Sequence, residues 1–387
     1  MPMFQAVLHD TRRGSRSIRS QPHARSEGNP IVTVANRDVL PILLGLAVCV
    51  VSCVGESSRS RRLDAGKHEP VLEQLSAIQT SYDTLVLRTS ITDPIVRVSG
   101  VAFAADGRIA IGDVSQGDVK IFDSEGKQVA RIGQKGSGPG EFLEPRFPRF
   151  GVHGQLYVAD GQNSRITVFD RDGALLNTVP LDGALQPISG FEILSDSAYV
   201  VTSAGGSEKV LHILDDSGTL IASYLQRALM RPQDEPAHPL WKTASQYWLA
   251  IRRDTAFVVH TLNDSLWTVD LRTGSIHADQ IVVPGYRQPF IPEDLPHGIK
   301  GVMDWTRSFH IAAKISVTDD YVVIPFVRGI LKYGDPSVVV FGGESRWVAI
   351  SDPPPLIGID GEYVVVLLDP DSEALDSVVL GRYGVGL

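Results

Sequence analysis

Asp113, Asp160, His260 and Asp369 fall at equivalent places in a pattern that recurs along this chain, each closing the second of a pair of short strand-like runs. Carboxylates and an imidazole gathered round one opening would bind a divalent cation. Oxygen donors suit calcium, and a contribution from His238, His297 or His310 would move the preference towards zinc. The same aspartates have a second use, because a carboxylate beside a turn can accept the turn's backbone N–H groups. Asn163 and Arg165 would then brace that loop. Two other stretches carry recognition chemistry, about Arg227 to Lys242 and about Tyr286 to Phe309. The first holds Arg231, His238 and Trp241; the second holds Arg287, Phe290, His297 and Trp305. Aromatic residues mixed with arginine are what binding surfaces favour. Alternatively, Trp241 and Trp305 pack on the edges of the elements they join. Neither G-x-S-x-G nor H-E-x-x-H occurs, so no catalytic residue is assigned.

The elements that would position these residues are short strands. Leu156 to Ala159 and Arg165 to Phe169 are β-branched and aromatic runs bounded by turn formers, the pattern of strands joined by tight turns. Asp172-Gly173 supplies the positive φ that a hairpin needs. Ile109 to Gly126 aligns with Leu156 to Gly173 without a gap, 47 residues apart. A third copy sets Ile213 to Gly218 against Val168 to Gly173, and a fourth, Phe257 to Asp270, aligns Asn263 with Asn163 and Asp270 with Asp170. Tyr321 to Val327 with Ser337 to Phe341 forms a fifth copy, and Tyr363 to Leu368 with Asp376 to Leu380 a sixth that lacks its outer strand. One such unit cannot bury both faces, so the copies must stack.

Gly133 to Pro145 reads G-Q-K-G-S-G-P-G-E-F-L-E-P, followed by Asp160, Asn163, Arg165 and Gly173. Together these resemble the NHL-type β-propeller blade. The resemblance implies an all-β fold, a six-bladed β-propeller over residues 81–387. Its ring would be closed by Asp83 to Arg88 supplying the missing strand, since closure removes exposed edges. The glycine-rich stretch before Phe142 then carries the backbone closely from one blade to the next. Propellers similar to this one include metal-dependent lactonases and an amidating lyase.

Residues 1–52 form a signal region. Val39 to Val51 is a thirteen-residue apolar run, the length of a signal-peptide core and short of the roughly 20 residues of a membrane span. Val50-Val51-Ser52-Cys53 resembles a bacterial lipobox, which would make Cys53 the lipidated residue. Residues 53–80 read as a tether. Met1 to Asn36 is Arg-rich and longer than an ordinary leader, consistent with a start near Val32 or Val34. Removing residues 1–52 leaves 30 Lys and Arg against 42 Asp and Glu, a net charge of −12. That balance repels nucleic acid. Cys49 lies in the signal region and Cys53 at its end, so the mature chain would keep only the lipidated Cys53 and no disulfide is expected.

The expectation is therefore a lipid-anchored, extracytoplasmic binding module, at the periplasmic or outer membrane of a cell that has one. Its ligand would be a peptide, protein or glycan contacting the face with the two long crossovers. A metal-dependent lactonase- or lyase-like enzyme, with calcium or zinc on Asp113, Asp160, His260 and Asp369 at the channel mouth, is one alternative. A structural subunit of a cell-envelope complex is another.

Overall fold

The computed structural model describes residues 82–230, 245–281 and shorter stretches from 283 to 384, with side chains from Thr84 to Val327. Strand β1 (Tyr82–Arg88) comes first. Blade 1 follows as β2 (Val98–Phe103), β3 (Ile109–Asp113), β4 (Asp118–Phe122) and β5 (Gln128–Ile132), and blade 2 as β6 (Pro145–Phe150), β7 (Leu156–Asp160), β8 (Arg165–Phe169) and β9 (Leu175–Pro180). Blade 3 is β10 (Ile188–Ser195), β11 (Ala198–Ser203), β12 (Lys209–Asp215) and β13 (Leu220–Gln226). After a short helix α1 (Arg227–Met230), blade 4 is β14 (Tyr247–Arg252), β15 (Thr255–His260), β16 (Ser265–Asp270) and β17 (Ile276–Gln280). Blade 5 is β18 (His310–Ala312), β19 (Ser316–Val317), β20 (Val322–Arg328), β21 (Pro336–Gly343) and β22 (Arg346–Ser351), and the chain ends its strands with β23 (Leu356–Asp360), β24 (Tyr363–Leu367) and β25 (Ser377–Gly384).

These strands make six antiparallel sheets, and the sixth runs β1-β25-β24-β23. The N-terminal strand thus supplies the outer strand of the last blade, with Leu85 opposite Leu380. Inner strands touch in one cycle, β2 to β6, β10, β14, β19, β23 and back to β2. The ring is closed, and the six-bladed count and the N-terminal closure expected from the sequence are both observed. β1 also seals onto blade 1, since Arg88 N–H donates to Gly126 O at 2.7 Å. In the connector after β1, Asp93 meets Lys120 at 3.1 Å, and Lys120 is itself paired to Asp118 at 3.0 Å, both fully buried.

Packing explains the composition of each strand. Every residue of β3, β4 and β7 is buried, because a middle strand has a neighbouring blade on each side and its alternate side chains face opposite ways. Ile109 and Ile111 join Leu87 and Phe122 on one side of blade 1, whereas Ala110 joins Phe142, Val158 and Phe169 on the other. Outer strands have solvent on one side, and β17 is exposed throughout.

The turn into the outer strand is built alike in blades 1 to 3 and, one residue longer, in blade 4. The carboxylates of Asp123, Asp170, Asp215 and Asp270 accept the N–H two residues on, at 2.9 to 3.0 Å. Gly126, Gly173, Gly218 and Gly274 then take φ of +80°, +88°, +86° and +76°, which a side chain would resist. Going round the ring, crossovers to the next inner strand share one face with the turns between second and third strands. Turns leading from first to second and from third to fourth strands share the other.

Candidate functional site: the crossover face and the lumen

Asp113 and Asp160 occupy the same position, at the crossover-face ends of β3 and β7, and each is wholly buried. Their carboxylates make the same four bonds. Asp113 accepts from the N–H groups of Val96 (2.6 Å), Arg97 (3.2 Å), Ser115 (2.9 Å) and Gln116 (3.2 Å). Asp160 accepts from Leu143 (2.9 Å), Glu144 (3.0 Å), Gln162 (3.2 Å) and Asn163 (3.1 Å), and from Asn163 Nδ2 at 2.8 Å. Two donors come from the chain entering the inner strand and two from the adjacent turn. A carboxylate offers about four lone-pair directions, so the four backbone N–H groups take up most of what each hook can accept. For these two residues the metal-ligand expectation is corrected: they are structural hooks.

The crossover into blade 2 is held by the next blade. Arg165 donates to Ser137 O (3.1 Å), Gly138 O (2.7 Å) and Glu141 O (2.7 Å), and Asn163 Nδ2 to Gly136 O at 3.0 Å. Glu141 returns the interaction by accepting from Gln134 and from Gly138 N–H, both at 2.8 Å, and these bonds hold its carboxyl below the usual range. A Cβ at Gly133 would fall 2.5 Å from the Phe142 ring, so the glycine permits that close approach.

Blades 3 and 4 carry Ser203 and His260 where the hooks would be, opposite Ile188 and Tyr247. His260 is buried against Tyr247, ring centroids 4.6 Å apart. The Arg227 guanidinium lies 5.2 Å from the Tyr247 ring on that same stack. It donates to Ser203 O at 2.9 Å and Ser207 O at 2.8 Å, so a cation clamp replaces the anion hook. Among the described residues no cluster of three or more His, Cys, Asp or Glu could hold a metal ion.

Of the expected recognition residues, Arg287 is exposed, with its backbone N–H 3.3 Å from His310 Nδ1. Tyr286 stacks on His310 at 6.1 Å. Trp305 is a correction: it is buried, packed edge-on against Phe309 at 5.5 Å, because an apolar indole gains more from the blade edge than from water. Arg231, His238, Trp241, Phe290 and His297 lie outside the described residues, as do Asp369 and Cys53.

One cluster escaped the sequence reading. Arg149 of β6 grips Glu192 of β10 with two bonds, Nε to Oε2 at 2.8 Å and Nη2 to Oε1 at 2.7 Å. Lys314, between β18 and β19 of blade 5, interacts electrostatically with both charges. Protein encloses it while part of its surface stays accessible. Burial pushes its amine down to about 8, with Arg149 adding to the shift and Glu192 opposing it. Each of the three stands four residues beyond its inner strand's first residue, a register visible in sequence only once inner strands are aligned. Elsewhere, His212 of β12 is buried with Nδ1 2.9 Å from Ser223 Oγ, and burial lowers its imidazole to about 4.

Residues 74–185 match a family described as 6-bladed beta-propeller, DUF5128. No curated protein matches the chain in sequence. Among solved structures, it resembles a candidate exported protein from Bacteroides fragilis NCTC 9343, with TM-score 0.57, 13% identity, and 78% of this chain and 94% of that one covered. A member of the DUF4221 family from Bacteroides vulgatus ATCC 8482 gives TM-score 0.58, 11% identity and coverage of 78% and 96%. No helix among the described residues is long and apolar enough to cross a membrane. Closed ring, repeated turns and structural likeness agree, and the chain is a six-bladed β-propeller.

Proposed function

We propose that this propeller is a binding module, lipid-anchored outside the cytoplasm through Cys53, that recognises a peptide, protein or glycan on its crossover face. The unequal length of the crossovers carries this reading. Residues 181–187 and 352–355 suffice to pass from blade 2 to 3 and from blade 5 to 6, whereas 227–246 and 281–309 are spent between blades 3, 4 and 5. Crossovers need only a few residues, and long loops in a compact domain generally serve a function. Both belong to one face, and Arg287 stands exposed on it. Likeness to a protein described as exported supports the extracytoplasmic part of the reading. The metal-enzyme alternative loses two of its four ligands to backbone hydrogen bonds.

The test is envelope cross-linking with the full chain and its Trp241→Ala/Arg287→Glu variant, with the variant's fold checked by thermal unfolding. Loss of the cross-linked partners from a folded variant is expected. An unchanged set of partners would refute recognition through this face.

A further inference from the structure

Of the ten large apolar side chains exposed among the described residues, seven lie on one face of this ring, and Ile91, Val96 and Leu229 lie in the crossovers of the other. Val129 stands near the start of outer strand β5, Leu175 and Leu176 open β9, Leu220 and Ile221 open β13, and Ile276 opens β17; all are exposed, Leu176 by 57% and Ile221 by 60%. Each follows the turn between third and fourth strands, on the face opposite the crossovers. Val152, 85% exposed, sits on that face too, in the turn between β6 and β7. Residues at one position of successive blades are related by rotation about the ring axis and so stand at nearly one height. The six therefore trace an arc in a plane parallel to that face. Nothing in a solitary soluble ring calls for this, since singly scattered apolar residues are ordinary but a patterned set marks an interaction site.

The chain itself indicates what covers the arc. β1 is the outer strand of blade 6 and runs antiparallel to β25, so its first residue, Tyr82, holds the same position as the openings of β5, β9, β13 and β17. The segment carrying Cys53 therefore joins the ring on the rim where the apolar residues lie. We propose that this rim rests on the bilayer surface, with Val152 and the outer-strand apolar residues entering the headgroup region and the crossover face directed away. The inference rests on the anchored-module reading above. A lipid-linked ring is held beside the membrane already, so shallow insertion of a few side chains suffices to orient it. The turns beside these residues are acidic in balance, Asp123, Glu125, Asp170, Asp172, Asp215, Asp216 and Asp270 against Lys127, Arg171 and Arg272. That acidity suits a zwitterionic surface and disfavours an anionic one.

The experiment uses the full chain expressed with its own leader. Mass spectrometry of the mature N-terminus is read first: absence of acyl chains on Cys53 removes the anchor reading and this inference with it. The acylated protein is then reconstituted into phosphatidylethanolamine/phosphatidylcholine vesicles containing brominated lipid. A fluorophore is placed at Val152→Cys or, on the opposite face, at Ser115→Cys. Loss of emission at 152 and none at 115 is expected. Introducing Leu176→Gln/Ile221→Gln should restore the emission at 152, and replacing part of the lipid with phosphatidylglycerol at low salt should restore it in part. An acylated protein whose 152 label stays bright, or whose labels report contact with a second copy instead of lipid, overturns the proposal while leaving the anchor standing.

Discussion

Blades 1 and 2 differ from blades 3 and 4 in how each is fastened to its neighbour, and the difference shows what a hook is for. In the first pair, a buried aspartate grips the chain as it enters the inner strand and the following turn at once. In the second pair, Ser203 and His260 cannot do so. The stack of Arg227, Tyr247 and His260 holds the junction from outside, through carbonyl oxygens. A hook that seizes the entering backbone fixes the crossover's course. The clamp sits where the chain leaves blade 3 for blade 4, beside the long crossover 227–246, whereas the crossover into blade 3, residues 181–187, is short although Ser203 replaces the hook there. The family match ends at residue 185, immediately before blade 3, the first described blade without an aspartate hook.

That contrast can be broken most directly at Asp160. Asp160→Ala strands four backbone N–H groups in the interior, and a loss of about 4 kcal/mol in urea unfolding is expected from unsatisfied buried donors. His260→Ala should cost about half of that, through lost packing; equal costs would mean that the hook has no special weight. Arg227→Ala should cost about 3 kcal/mol because it removes a buried clamp with charge-assisted bonds, and Arg227→Lys should rescue little, since lysine lacks the planar fork.

A pH series sharpens the picture of blade 3. Burial lowers the His212 imidazole from its ordinary 6.5 to about 4. Its contribution is therefore fully present above pH 6.5 and is lost as pH falls towards 4, where the unfolded chain binds the proton more readily. A decline of about 3 kcal/mol across that window is expected, and His212→Gln should flatten it. The smallest effect separates two copies of one turn. Gly173→Ala meets only Ile132 at 3.5 Å, whereas Gly218→Ala drives a methyl to 2.1 Å from Pro180 O. Thermal unfolding should show the second costing about 1 kcal/mol more, beyond the left-handed backbone strain they share.

The parts legible in sequence were those that local chemistry dictates. Asp-x-x-Gly turns, the hooks' carboxylates and the glycine-rich crossover each leave a mark within about twenty residues, and the ring closure followed from one unpaired run, Asp83 to Arg88. The charged set of Arg149, Glu192 and Lys314 was not legible, because the first two lie on different inner strands and the third between β18 and β19, at spacings that shift with every crossover. Trp305 misled for a related reason: residue type suggests recognition, but only tertiary packing decides whether an indole faces solvent or Phe309. Asp113 and Asp160 showed the right position and two uses, and hydrogen-bond geometry selected between them.

Closing the ring with β1 also sets a timetable. Leu85 and Leu380 are opposite one another but 295 positions apart in the chain. At roughly 5–20 residues per second of synthesis, the first strand waits some 15–60 s for the partner that will cover it. During that interval it is an unpaired strand able to join another edge. Loop closure over such a span makes the final seam slow to form. A chain interrupted before β25 would leave its earliest strand without its native mate, so the last residues made decide whether the first ones keep their place.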